Sequence, residues 1–214
     1  INGILGEYIM IEQESNNSDI AKRFDISRID FDLLRREFSK TKKKNLLITD
    51  LDELIQTRLE SMLKENPSRV DYYERYQTII DEYNNEQDRA NIEKTFMDLM
   101  NLANSMNQEE KRYVREGFTS DEELSLYDML FNENLSKEDI NKIKKVAVDL
   151  LEKIKEKISE LDHWTEKQET RDDVETYIGA ILWEELPESY SDNAIFAYRQ
   201  KIYEYVFMRY KEVA

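Results

Sequence analysis

The chain of 214 residues has no cysteine, one histidine, two prolines and only four glycines. Without cysteine it cannot form a disulfide framework or a Cys/His zinc site. The glycines, Gly3, Gly6, Gly117 and Gly179, are too scattered to build a glycine-rich phosphate loop. Because tight turns depend on glycine, proline, asparagine and aspartate for their backbone angles, this composition favours long helices over strands.

Long apolar runs are also missing. No run of about 18 apolar residues occurs, so we predict no membrane span, and no signal peptide is visible. The lack of cysteine fits a reducing compartment, and we predict a cytoplasmic location. The chain begins at Ile1 rather than with methionine, which we interpret as the start of a fragment of a longer polypeptide.

Acidic residues dominate the charge. There are 47 acidic and 31 basic residues, which gives a net charge of −16. Such a surface repels phosphate, so the chain is predicted to be a poor free-standing nucleic-acid binder that could still dock to a basic protein. The most polarised stretch is residues 162–192, where ten acidic and two basic residues give a local charge of −8.

Helical periodicity runs through most of the sequence. Apolar residues recur at spacings of three and four, most clearly at Ile140, Ile143, Ala147, Leu150, Ile154, Ile158 and Leu161. Helix starts are predicted at Thr49 or Asp50, within residues 119–123 and at Ser136. Gly117 is predicted to be a helix C-cap, and Pro67 to end a helix at Asn66.

The fold predicted from these patterns is all-α, an irregular bundle of about seven to eight helices with no significant sheet. A polar turn at residues 84–86 suggests a division into a helical segment, residues 1–84, and a C-terminal helical domain, residues 85–214. The sequence leaves open whether the two parts form one domain.

Catalytic, cofactor-binding and metal-binding residues are not predicted. Asp172, Asp173 and Glu175 could surround Mg²⁺, but acidic residues also favour a helix N-terminus. Residues 109–111 contain a Glu-x-Lys string typical of nucleases, in a helix that lacks the accompanying strand. His163 has no serine, cysteine or ordered acid beside it to make it a general base.

Two groups of residues are candidates for binding. Aromatic residues are favoured at protein interfaces, although they are equally ordinary in a helical core. The candidate partner-binding residues are Trp164, Arg171, Trp183, Tyr190 and Tyr198. A basic cluster is the one place where phosphate contact is plausible, although it could also be a solvated helix end. Its residues are Arg35, Arg36, Lys40, Lys42, Lys43 and Lys44.

Several short motifs, taken in order, carry a family resemblance over residues 28–214. The first group is IDFDLLRREF (29–38), NLLITDL (45–51), LKENP (63–67) and YQTIIDEYN (76–84). The second is LSLYDML (124–130), VAVDLL (146–151), DHWTEK (162–167), TRDDV (170–174) and LP (186–187) with Tyr190. This order resembles the C-terminal region of the restriction (motor) subunit of type I restriction–modification enzymes. His163 departs from the pattern, because it separates Asp162 from Trp164.

The resemblance implies a function for the parent subunit, which in this family is an ATP-dependent DNA translocase and endonuclease. A nuclease core and two RecA-like motor domains carry the chemistry, so ATP and Mg²⁺ are expected for the parent and no cofactor for this fragment. The helical region would dock the subunit onto the methyltransferase and specificity subunits. The alternative is a helical arm whose basic cluster, residues 35–44, contacts the DNA backbone.

Overall fold

The computed structural model describes residues 29–85 and 89–211, which form nine α-helices and no strand or sheet. The helices are α1 (Phe31–Lys40), α2 (Lys44–Glu65), α3 (Val70–Asn85), α4 (Arg89–Glu110), α5 (Arg112–Glu116), α6 (Asp121–Leu130), α7 (Lys137–Ser159), α8 (Gln168–Glu185) and α9 (Asp192–Tyr210). A short 3-10 turn, Pro67–Arg69, joins α2 to α3. The predicted all-α class is confirmed. None of the described helices is long and apolar enough to cross a membrane.

Side-chain caps begin several helices where the sequence predicts them. The Ser120 hydroxyl accepts a hydrogen bond from the backbone N–H of Glu123 at the start of α6, and Ser136 does the same from Asp139 at the start of α7. Each cap satisfies a backbone donor that has no partner within its helix. Gly117, just after α5, has φ of +87°, the left-handed conformation expected of a C-cap glycine.

The start of α2 differs from the prediction. The helix begins at Lys44, so Thr49 and Asp50 lie inside it rather than at its N-cap. Leu47 and Ile48 are buried and extend the apolar stripe of α2 toward its N-terminus. The Thr49 hydroxyl donates to the backbone carbonyl of Asn45 at 3.0 Å, a bond that forms within the helix instead of capping it. The predicted end at Asn66 is confirmed, because α2 ends at Glu65.

The chain divides into two compact units. Among the described residues, the first consists of residues 29–63, 69–85 and 89–111, and the second of residues 64–68 and 112–211. This division places α3 and α4 together in the first unit, whereas the turn at residues 84–86 suggested a boundary between them. Residues 1–28 of the predicted segment 1–84 lie outside the described ranges.

The first unit is built around an apolar core from α1, α2, α3 and α4. Phe38 of α1 stacks on Phe96 of α4 with the ring centroids 3.7 Å apart. A buried ion pair joins Arg69 of the 3-10 turn to Glu109 of α4 at 3.0 Å. Since an unpaired buried charge is costly, this pair fixes how the 3-10 turn meets the end of α4.

The second unit has its own core, formed by α6, α7, α8, α9 and the turn between α7 and α8. Trp164, in that turn, is fully buried, and its ring meets Phe207 of α9 edge-on at 5.8 Å. Tyr190, in the turn between α8 and α9, is also buried, and its hydroxyl donates to the Leu130 carbonyl at 2.6 Å. The two turns are therefore anchored from inside the unit.

A shared carboxylate links three helices of the second unit. Glu122 of α6 accepts hydrogen bonds from Lys155 of α7 at 2.5 Å, and from Arg209 and Tyr210 of α9 at 2.7 and 3.2 Å. Burial by itself raises the pKa of the Glu122 carboxyl, but the bonds from Lys155 and Arg209 outweigh it and hold the pKa below its usual value. The carboxylate therefore stays charged at neutral pH and holds α7 and α9 against α6.

We predict that the Tyr190 hydroxyl contributes to the stability of the second unit. Leu130 is the last residue of α6, so its carbonyl has no donor within the helix. Burial raises the pKa of the Tyr190 hydroxyl, which therefore remains a donor at neutral pH. Tyr190→Phe should lower the free energy of unfolding by about 1–2 kcal/mol, because the buried carbonyl loses its partner. Urea denaturation followed by circular dichroism measures this change.

Tyr198→Phe is the matched control. The Tyr198 ring contacts Tyr190 at 5.6 Å, but its hydroxyl has no hydrogen-bond partner among the described residues. This substitution should change the free energy of unfolding by less than about 0.5 kcal/mol. An equal decrease in both variants would contradict the role given to the Tyr190 hydroxyl.

Candidate functional site

The acidic stretch 162–192 lies within the second unit. It covers the turn after α7, all of α8 and the turn into α9. Eight of its ten acidic side chains are exposed: Asp162, Glu166, Glu169, Asp172, Asp173, Glu184, Glu188 and Asp192. Within the described residues, no lysine or arginine forms an ion pair with any of these eight. Their charge is therefore presented to solvent.

The other two acidic residues of the stretch are half-buried and neutralised. Glu175 pairs with Arg199 of α9 at 3.2 Å, and Glu185 pairs with Lys153 of α7. The hydrogen bond to Glu185 raises the pKa of the Lys153 ammonium. These two pairs hold α8 against its neighbours and leave the charge of the outer residues uncompensated.

The candidate partner-binding residues occupy different environments. Trp164 and Tyr190 are buried in the core of the second unit, which is the core alternative that the sequence left open. Trp183, near the end of α8, is 57% exposed. Tyr198 is half-buried on α9. Arg171 is half-buried and donates to the Thr165 carbonyl at 3.2 Å and to Gln168 at 2.7 Å, so it helps to order the turn before α8.

Gly179 of α8 is in close contact with Arg199 of α9. A Cβ atom at this position would lie 2.7 Å from Cδ of Arg199, so the arginine side chain crosses α8 where the glycine has no side chain. From there the Arg199 guanidinium reaches over the Phe196 ring, with 5.2 Å between guanidinium carbon and ring centroid. The same side chain pairs with Glu175. Arg199 therefore fixes the relative register of the two helices.

Phe196 is a surface residue that the sequence did not single out. It is 54% exposed, although it appears in the sequence as one of many apolar residues of the last helix. Apolar side chains lie all around α9, so helical spacing could not separate its inner from its outer face. In the sequence, Gly179 is the residue that indicates the contact between α8 and α9, because a glycine inside a helical pattern often marks a close packing contact.

Trp183 and Phe196 lie on the same side of the α8–α9 hairpin. Trp183 is one turn beyond Gly179 on α8, and Phe196 is nearly one turn before Arg199 on α9. The two helices run antiparallel and meet at Gly179 and Arg199. About one helical turn from each of these residues, in the direction of the turn between the helices, lie Trp183 on α8 and Phe196 on α9. Helical periodicity therefore places both aromatic side chains on the same face of the hairpin. Glu184, Glu188 and Asp192 lie beside them in sequence and are exposed.

The basic cluster lies in the first unit, on α1 and at the start of α2. Lys40 pairs with Glu37 at 3.0 Å, and Lys44 pairs with Glu93 at 2.7 Å while its ammonium lies 4.9 Å from the centre of the Phe38 ring. Arg35, Arg36, Lys42 and Lys43 are exposed and form no ion pair within the described ranges. Four positive side chains of the cluster are thus available to a ligand.

Metal and cofactor chemistry finds little support in the described residues. No group of three His, Cys, Asp or Glu side chains among residues 29–85 and 89–211 could hold a metal ion. Asp172 and Asp173 are exposed in the first part of α8. His163 is exposed, has φ of +49° and lies 3.7 Å from Glu166.

Comparison with known protein families gives one match. The family described as type I restriction enzyme HindI endonuclease subunit-like, C-terminal, matches residues 13–208, which is most of the chain. No curated protein and no solved structure matches. The match covers both compact units and includes all the candidate residues of α1, α2, α8 and α9.

The contrast between the two tryptophans can be measured by fluorescence. Trp183→Phe leaves Trp164 as the only tryptophan, and Trp164 is 0% exposed. We expect emission to move to shorter wavelength and acrylamide quenching to fall several-fold, because the quencher cannot reach the buried ring. Trp164→Phe, measured below its unfolding transition, should give the opposite change. Strong quenching of the Trp183→Phe variant would show that the exposures are assigned to the wrong residues.

Proposed function

Because the chain belongs to the family of C-terminal regions of type I restriction enzyme HindI endonuclease subunit-like proteins, we propose that it docks its parent subunit onto the methyltransferase–specificity core of a cytoplasmic restriction–modification complex. In this proposal the parent is an ATP-dependent DNA translocase and endonuclease. The present region supplies attachment and has no catalytic residue of its own.

The observation that carries this proposal is the set of eight exposed carboxylates of residues 162–192, none of which pairs with a lysine or arginine among the described residues. Eight carboxylates on one stretch of 31 residues repel DNA and favour a basic protein surface. An exposed tryptophan in the same stretch supports protein contact, because tryptophan is enriched at interface hot spots. The acidic surface and the aromatic side chain together favour an assembly role.

ATP and Mg²⁺ belong to other parts of the parent subunit in this proposal. The four glycines of the chain form no phosphate loop, and the described residues contain no metal-binding group. Phosphate recognition by a motor domain needs closely spaced glycines and a lysine at a helix N-terminus. No step of the parent reaction is therefore assigned to this region.

DNA contact by the basic cluster is a second candidate function. In a chain with a net charge of −16, the first unit exposes four cations without a partner among the described residues: Arg35, Arg36, Lys42 and Lys43. Their position on α1 and the adjacent turn would let them follow a phosphate backbone without reading its sequence. This role is compatible with docking through the second unit.

Truncation of the parent subunit tests the docking function. Removal of residues 112–214 leaves the helices of the first unit in place and takes away α5 to α9. We expect this variant to lose binding to the purified methyltransferase–specificity core in a pull-down, while circular dichroism shows that the rest of the subunit stays folded. Undiminished capture of the truncated subunit would contradict the docking function.

Charge reversal tests the DNA-contact function. Lys42→Glu with Lys43→Glu in the parent subunit should weaken DNA binding and reduce the slope of log K against log salt by about 0.9 for each phosphate that the subunit no longer neutralises. Lys137→Glu with Lys145→Glu is the matched control, because both lysines are exposed on α7 of the second unit. Equal affinities and slopes for the two double variants would exclude this second candidate.

A further inference from the structure

We propose that one face of the α8–α9 hairpin binds a lysine- and arginine-rich protein surface with an apolar centre on the methyltransferase–specificity core. This hairpin face consists of Trp183 on α8, Glu188 in the turn, and Asp192 and Phe196, four residues apart, on α9. The inference rests on the proposed docking function and assigns that function to a defined surface. It also states the chemistry of the partner.

The centre of the hairpin face is aromatic. Trp183 and Phe196 are 57% and 54% exposed, although large aromatic side chains are usually buried in a helical unit. Two such rings on the same side of one helical hairpin form an apolar patch that water solvates poorly. Burial of these rings by a partner would supply the largest share of the binding free energy.

The geometry of the patch is set before any partner arrives. Phe196 lies under the Arg199 guanidinium, and Arg199 is held by its pair with Glu175 and by its passage across Gly179. Tyr190 anchors the turn between the two helices through its bond to the Leu130 carbonyl. Because these groups are already ordered, little conformational entropy is lost at the patch on binding.

The charge around the patch determines the kind of partner. Two lysines of α7 reach this end of the hairpin: Lys153 pairs with Glu185, and Lys142 donates to the Leu186 carbonyl at 3.4 Å. Glu188 and Asp192 remain exposed, without an ion pair among the described residues. An apolar patch beside two uncompensated carboxylates is complementary to a surface of lysine and arginine.

Other occupants fit this charge poorly. DNA would bring phosphates against these two carboxylates, which is unfavourable. A second copy of the chain, meeting this face with its own, would place like charges opposite one another. A basic protein surface is therefore the occupant that the hairpin face favours.

The test measures the affinity of the full parent subunit for the methyltransferase–specificity core by titration at several salt concentrations. Trp183→Ala and Phe196→Ala should each raise Kd by about tenfold or more, as expected for hot-spot residues. Glu188→Lys with Asp192→Lys should also raise Kd, and should make it less dependent on salt because favourable charge pairs are removed.

Matched controls lie on other parts of the second unit. Val114→Ala removes part of an apolar side chain that is 61% exposed on α5. Glu152→Lys with Glu156→Lys reverses two exposed carboxylates of α7 at the same sequence spacing as Glu188 and Asp192. Both controls should leave Kd within about twofold of the unsubstituted subunit, since surface changes outside an interface have small effects.

The outcomes separate the hairpin face from the docking function. Truncation at residue 112 could abolish binding while the Trp183→Ala and Phe196→Ala variants bind normally. In that case the docking function stands, and its assignment to the hairpin face is wrong. Normal binding by the truncated subunit would overturn both. A decrease in affinity that is equal in the controls and in the hairpin variants, or an effect confined to self-association, would also overturn the assignment of this face.

Discussion

The register between α8 and α9 is set where the Arg199 side chain crosses Gly179, and the arrangement of the second unit's surface depends on this contact. A glycine inside a helix costs about 1 kcal/mol relative to alanine, so its presence needs a compensating contact. Here the compensation is Arg199, whose side chain passes beside Gly179, pairs with Glu175 and lies over the Phe196 ring. Trp183 and Phe196 share one face only because this register holds.

The carboxylates of the second unit named here are of two kinds: half-buried ones that pair with cations of neighbouring helices, and exposed ones that face solvent. Glu122 and Glu185 are half-buried and bind cations of neighbouring helices, so they contribute to the packing of α6, α7, α8 and α9. The exposed carboxylates of residues 162–192 have no such cation among the described residues and add little to stability. Because they repel one another, they favour the approach of a positively charged partner.

Much of the fold could be predicted from local signals. Ser120, Ser136 and Gly117 stand at helix ends because their side chains or backbone angles satisfy groups that the helix leaves unpaired, and these positions can be read directly. The start of α2 could not be read in this way. Thr49 and Asp50 are good N-cap residues, but burial of Leu47 and Ile48 in the core extends the helix to Lys44 and overrides the local preference.

The sequence by itself determined the helical class, the acidic balance, the family and the lack of a phosphate loop, because these depend on composition, spacing and motif order. Only the tertiary structure decided which of two tryptophans is buried. Trp164 and Trp183 both lie in the same acidic stretch, yet one packs against Phe207 and the other faces solvent. That difference depends on tertiary contacts such as the one between Trp164 and Phe207, residues forty-three positions apart, which no local pattern specifies.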